Sequence, residues 1–208
     1  MIIVLLILFV LFLVLVGLAY FGFWQITIYF GLAIIIFFWI MLLFWLNEII
    51  KVFVKGNAPY VRTSKKMIRQ ILAEIEFKDN ALVYDLGCGD GRFGRELVKQ
   101  KNVQVIGFEY FIVPYLLGHL INLFSKNKIK IKLKDFFKED LSKADYIFCY
   151  LIDKEQSRLE EKLKKELKPG AIVISNTFEF KNWQPLKIIK IDKAKKTGLS
   201  HFVYVYRK

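Results

Sequence analysis

The stretch V-Y-D-L-G-C-G-D-G-R at residues 83–92 constrains the rest of the chain more than any other. Val83, Tyr84 and Leu86 read as the end of a buried strand. Gly87, Gly89 and Gly91 follow at alternate positions, and residues 93–101 then read as a helix. Strand, glycine turn and helix together make a nucleotide cradle. Glycine lets the backbone approach a ligand closely, and a helix N-terminus presents unpaired N–H groups.

The chain around this cradle alternates. Asn57-Ala58-Pro59-Tyr60 breaks regular structure, and Thr63 or Ser64 can cap a helix to about residue 76 with Met67, Ile68, Ile71, Leu72 and Ile75 on one face. The cradle strand is expected over 81–86. Further strands are expected over 103–109, 129–133, 145–151, 171–175, 186–192 and 201–206, with helices over 111–124 and 154–167. Pro114 is tolerated in the first turn of its helix. Ile129, Ile131 and Leu133 alternate with Lys128, Lys130, Lys132 and Lys134, as in a half-buried edge strand protected by its lysines. Alternation of this kind predicts an α/β fold, a parallel sheet with helices on both faces, closed by a C-terminal antiparallel hairpin. The helix over 111–124 is apolar nearly all round, so its outer face is expected to meet the membrane or a partner. His119, set among leucines, reads as structural.

The N-terminal part is of another kind. No Asp, Glu, Lys or Arg precedes Glu48, and all 32 basic and 19 acidic residues lie from there on. One helix over this stretch would run roughly 70 Å, more than twice the hydrocarbon thickness. Two transmembrane helices suit it better, about 3–19 and 26–46, with a turn where Gly22, Trp24 and Gln25 interrupt the aliphatic run. A secretory signal would need a basic start and a small-residue cleavage site, and neither is evident. In a hairpin both ends share one side. Lys51, Lys55, Arg62, Lys65 and Lys66 follow closely and put that side in the cytosol; a re-entrant hairpin would leave the remainder on the same side. An integral membrane protein with its soluble part facing the cytoplasm is therefore expected. The net charge of +13 reads as contact with anionic lipid, at about 1 kcal/mol per basic residue near the surface, before it reads as a nucleic-acid footprint. Cys88 and Cys149 end separate strands without metal-ligand spacing, which predicts free thiols, a reducing compartment and no metal.

The ligand of the cradle follows from its acids. A dinucleotide site would want G-x-G-x-x-G with an acid about 20 residues on, whereas here Asp85 precedes the glycines. Asp85 can receive an amino group, Glu109 at the next strand end can accept ribose hydroxyls, and Asp135 after the third can reach an adenine edge or cap the segment behind it. No G-K-[ST] phosphate loop is present. Carboxylates at three successive strand ends suit an adenosine with a cationic amino-acid part and no phosphate, as in S-adenosylmethionine.

The run from Asp85 to Arg92, with Glu109, resembles the cofactor motif of class I methyltransferases, whose seven-stranded Rossmann-like sheet ends in an antiparallel hairpin. A closer resemblance is to membrane-anchored protein lysine methyltransferases, the group that modifies the ATP synthase c subunit and the adenine nucleotide translocase. It is carried by Pro59-Tyr60-Val61-Arg62-Thr63, by the cradle, and by F-E-F-K-N-W-Q-P at residues 178–185. The resemblance implies S-adenosylmethionine as cofactor, held by Thr63, Asp85, Gly87, Cys88, Gly89, Gly91, Arg92, Glu109 and Asp135. With the charge-free start, the chain divides into a transmembrane hairpin (1–47), a juxtamembrane linker (48–62) and a methyltransferase domain (63–208). Two departures stand out: Glu109 is followed by Y-F-I-V-P in place of x-N-P, and residues 150–153 lack the N-P-P-Y motif of enzymes acting on bases or glutamine. Nucleic acid is therefore not the expected substrate.

For the acceptor, Tyr60, Phe178, Phe180 and Trp183 can build an aromatic channel tolerant of a methylammonium product, with Trp183 favoured by its place in a loop. Asp153 at the sheet's ligand edge is a candidate for orienting the amine, level with a helix-capping role. The expected reaction is methylation of a lysine in a membrane protein. A lipid or quinone-like acceptor, or a cofactor-binding membrane scaffold without transfer activity, are the alternatives.

Overall fold

The computed structural model describes residues 2–22, 24–53, 63–151, 153–191 and 201–208, and the side chains of all of these except 2–8, 48–53, 153–154 and 201. Tyr60 lies outside the described residues. The chain forms two compact units, Met1–Lys55 and Gly56–Lys208.

The first unit holds helices α1 (Ile2–Tyr20) and α2 (Trp24–Phe53), which pack against each other. Gly22, at φ 76°, takes the left-handed conformation between them. The stretch Trp24–Asn47 is long and apolar enough to cross a membrane, and none of it is buried inside the protein. Exposed side chains such as Phe37, Trp39, Ile40 and Leu43 surround it, and a soluble surface rarely leaves so large an apolar area open.

The second unit is built on a seven-stranded sheet in the order β3-β2-β1-β4-β5-β7-β6. Its strands are β1 (Ala81–Leu86), β2 (Val103–Glu109), β3 (Lys130–Leu133), β4 (Tyr146–Cys149), β5 (Ile172–Asn176), β6 (Lys187–Ile191) and β7 (His201–Arg207). The first five are mutually parallel, whereas β7 runs antiparallel to both β5 and β6. The α/β sheet closed by an antiparallel hairpin is thus present, with the lysine-bearing β3 at one edge. Strand order reverses at β1, between β2 and β4, and in open parallel sheets ligands bind at the carboxyl ends of the strands beside that reversal.

Helices α3 (Lys65–Glu74), α4 (Arg92–Gln100), α5 (Ile112–Phe124) and α6 (Asp153–Glu166) complete the unit. Ser64, not Thr63, caps α3, its hydroxyl accepting the Met67 N–H at 3.2 Å. Ile68, Ile71 and Leu72 of α3 join Phe93 and Leu97 of α4 on one sheet face, while Leu159 and Leu163 of α6 are fully buried on the other. Both cores are aliphatic with aromatic inserts; Phe93 stacks on Phe148 with ring centroids 3.6 Å apart, which anchors the first turn of α4 over β4.

Candidate active site

The carboxyl end of β1 opens into the glycine loop. Gly87, Gly89 and Gly91 have φ of 74°, 57° and 77°, a region that side-chain-bearing residues enter at a cost. The loop is closed on itself, the Cys88 carbonyl accepting the Gly91 N–H at 2.9 Å, and is tied to its neighbouring strand. The Phe108 carbonyl accepts the N–H groups of Gly87 (2.9 Å) and Cys88 (3.0 Å). The Glu109 carboxylate accepts the Gly89 N–H at 2.7 Å with one oxygen and the Tyr110 and Phe111 N–H groups at 2.8 Å each with the other. Asp90 accepts the Arg92 N–H at 3.0 Å and sits 3.8 Å from Arg95. Close packing completes the cradle: a Cβ on Gly107 would fall 2.5 Å from the Cys88 sulfur, and one on Gly118 of α5 would fall 3.0 Å from the Asp90 carbonyl oxygen.

Asp85 is the electrostatic centre. It is 2% exposed, and its Oδ2 has no hydrogen-bond partner among the described residues. Burial, then the nearby Glu109 and Asp90 carboxylates, push its pKa up to about 8. Burial, aided by the same acids, also holds the Cys88 thiol protonated, so it serves as a small packing group and not as a nucleophile. A buried carboxyl with one oxygen unpartnered among the described residues, beside two more acids, is the complement of an ammonium group. The residues present therefore fit the amino-acid end of S-adenosylmethionine.

The remaining sequence candidates fall as follows. Asp135 accepts the Phe137 N–H at 3.0 Å and caps a short 3₁₀ turn, Phe136–Lys138, after β3. Arg92 opens α4 and is half-buried. Thr63 is half-buried ahead of α3. Asp153 is the first residue of α6. Trp183 is half-buried against Phe180 and Tyr206, with ring centroids at 5.8 and 5.4 Å, and Lys164 Nζ lies 5.7 Å from its ring centre.

At the carboxyl ends of β4 and β5 the structure sets the expected Phe178 beside Tyr150, Gln156, Asn176 and Thr177, which the sequence does not flag. Tyr150 and Phe178 face each other with centroids 6.4 Å apart. Asn176 is fully buried and its Nδ2 has no partner among the described residues; the same holds for Oε1 of the buried Gln156, whose Nε2 donates to Ser175 at 2.7 Å. Thr177 follows at φ 75°, an outlier for a β-branched residue. The polar run S-N-T before Phe178 is the only trace of this in the sequence. A separate cleft of about 790 Å³ lies at the opposite, amino ends of the strands, where the Lys168–Asp145 ion pair (2.6 Å) lines it. It is remote from the cradle, and the convergent polar groups mark the carboxyl edge as the site instead.

Sheet topology and cradle define a class I S-adenosylmethionine-dependent methyltransferase. A family model described as the ANTKMT methyltransferase domain matches residues 85–187. A protein-lysine N-methyltransferase of Saccharolobus islandicus (strain REY15A) is 34% identical over 155 residues, covering 72% of this chain and 93% of the relative. An adenine nucleotide translocase lysine N-methyltransferase of Mus musculus is 28% identical over 137 residues, covering 64% of this chain but 58% of that protein. Among solved structures, an RNA methyltransferase from Salinibacter ruber in complex with S-adenosyl-L-homocysteine superposes with a TM-score of 0.61 at 22% identity, covering 71% of this chain and 93% of that one, a likeness of fold. The chain belongs to the same methyltransferase family as the Saccharolobus protein-lysine N-methyltransferase, and it uses S-adenosylmethionine as its cofactor.

Proposed function

We propose that the chain methylates a lysine side chain, and that the lysine belongs to a membrane protein. The observation that carries the first half is the 34% identity, over nearly the whole of the relative, to a protein-lysine N-methyltransferase. The absence of N-P-P-Y after β4 supports it. In this reading Asp85 holds the amino group of the cofactor and Glu109 its ribose hydroxyls, while Gly87, Cys88, Gly89, Gly91 and Arg92 shape the loop around it. Asp135 and Thr63 complete the contacts. When bound, the cofactor supplies a methyl group on a sulfonium.

The protein's own share of the chemistry is to hold the acceptor amine close and aligned, which can lower a barrier by several kcal/mol. The amine must also be neutral, and a partly desolvated channel lowers its pKa toward that state. Tyr150 and Phe178 form the apolar wall at the carboxyl edge, and the unpaired Asn176 and Gln156 groups lie beside it to orient the incoming chain. Trp183, Asp153 and Tyr60 are the further candidates for shaping the acceptor channel.

The second half rests on the N-terminal unit. We read residues 1–47 as a hairpin that crosses the bilayer twice, 48–62 as a linker and 63–208 as a catalytic domain on the cytoplasmic side. Anchoring confines the catalytic domain near the membrane and raises the effective concentration of embedded targets. Incubating membranes with the purified chain and radiolabelled S-adenosylmethionine tests the reading. Label in a protein band supports it, whereas label confined to the lipid extract sinks it.

A further inference from the structure

Helix α5 buries Pro114, Gly118 and Asn122 and leaves Val113, Leu116, Leu117, Leu120, Leu123 and Phe124 exposed. Leu123 and Phe124 are 69% and 85% exposed, whereas the outer face of a helix that ends in water is polar. The charge beside this face has one sign. Residues 110–134 contain five lysines and no Asp or Glu. Lys126, Lys128 and Lys130 are exposed and, among the described residues, take part in no ion pair; Lys134 pairs with Glu139 at 2.8 Å. Lys126 and Lys128 lie in the turn that leads from α5 into β3, the edge strand on which α5 packs; within β3, Ile131 meets α5 at Gly118, so Lys130 and Lys132 leave from the other sheet face.

We propose that α5 and the lysines of the turn that follows it, Lys126 and Lys128, form a docking surface for an anionic lipid bilayer. The proposal rests on the reading that the chain is membrane-attached, and it adds which face of the catalytic unit meets the lipid. Thirteen residues make a helix about 20 Å long, too short for a hydrocarbon core of about 30 Å. Such a helix lies in the plane of the membrane, its leucines at the acyl boundary and the lysine stems reaching back to the headgroups. Self-association is disfavoured, because a second copy would bring lysine against lysine. Docking also bears on the active site. Gly118 lets α5 lie directly on the Asp90 backbone, so the lipid-facing helix is at the same time the outer wall of the cofactor loop.

The test uses the full chain with Leu120→Cys carrying an NBD fluorophore; the native thiols Cys88 and Cys149 are both buried. The chain is reconstituted into phosphatidylcholine vesicles with or without phosphatidylserine, and a carbonate wash separately reports whether it is anchored. With phosphatidylserine the NBD emission should shift to the blue and be quenched by brominated acyl chains. A label at Lys165→Cys, on α6 over the opposite sheet face, should behave as in water. Replacing Lys126 and Lys128 by glutamate should weaken docking by at least about fivefold for each lysine lost. Water-like emission at position 120 in a carbonate-resistant chain would overturn the docking and leave the anchoring intact. A blue shift that grows with protein concentration at fixed lipid assigns the face to a second copy, and one that requires an added protein assigns it to a protein partner; either overturns the proposal.

Discussion

Glu109 accepts the N–H of Gly89 at 2.7 Å across the gap between β1 and β2, so one buried carboxylate sets both the glycine loop and, through Tyr110 and Phe111, the entry to α5. Charge-assisted bonds of this kind are worth about 2 kcal/mol each. Glu109→Gln keeps the shape but turns an NH₂ toward donors. Amide exchange at Gly89, Tyr110 and Phe111 should accelerate together, by about thirtyfold, with cofactor affinity falling at least tenfold. Unchanged exchange at Gly89 would mean that Glu109 does not hold the loop.

Asp85 makes a pH-dependent prediction. Its carboxyl in the folded protein titrates at about 8, well above the ordinary 3.8, chiefly because it is buried. The folded state therefore keeps a proton that the unfolded chain gives up. The stability tied to that proton is complete below about pH 4 and is lost as pH rises through 8. Asp85→Asn removes the titration, so the melting temperature of the variant should gain on the wild type steadily between pH 4 and 9. A cationic amino group favours the carboxylate. Cofactor binding at pH 7 should then release a proton, seen as a dependence of the calorimetric heat on buffer ionisation enthalpy that Asp85→Asn abolishes.

Gly118 couples helix and loop by contact alone. A Cβ there would stand 2.7 Å from an Ile131 methyl and 3.0 Å from the Asp90 carbonyl oxygen. The methyl can move aside, but the backbone yields only by small amounts. Gly118→Ala should be mild. Gly118→Val should cost about 1–3 kcal/mol of stability and lower cofactor affinity in calorimetry, although the residue touches no ligand.

How much of this was legible beforehand differs by residue. Strands and helices from Lys65 to Arg207 follow the hydrophobic periods closely, since each strand is buried on at least one face and each helix, except α5, has a clear polar side. The start of β3 was less legible: Ile129 reads as strand, but its carbonyl accepts the Asn122 side chain at 2.8 Å, a contact with no local signature. For Asp135 the cap and ligand readings demand the same residue, and only the fold brings the Phe137 N–H to one of its oxygens. Trp183 reads as a loop aromatic, yet tertiary packing stacks it on Phe180 and Tyr206. Asn176 and Thr177 carry no local signature, because neither an unpartnered Nδ2 in a buried interior nor a positive φ is written in residue type.

Thr177 turns that last point into a measurement. A β-branched residue at φ 75° carries strain of about 1 kcal/mol or more, which persists only if the position needs it. Thr177→Gly should raise the denaturation midpoint of the catalytic unit while lowering turnover and leaving cofactor affinity unchanged. A variant both more stable and fully active would assign Thr177 no part in handling the acceptor.

Lysine methylation of a membrane protein is the central proposal. Its most direct test is peptide mass spectrometry of membrane proteins after incubation with the full chain and deuterated-methyl S-adenosylmethionine, with Asp85→Ala as control. A labelled methyl group is expected on lysine in one or a few integral membrane proteins, and is absent with the variant. Label on another residue type, or on no protein while the cofactor is still consumed, would contradict it.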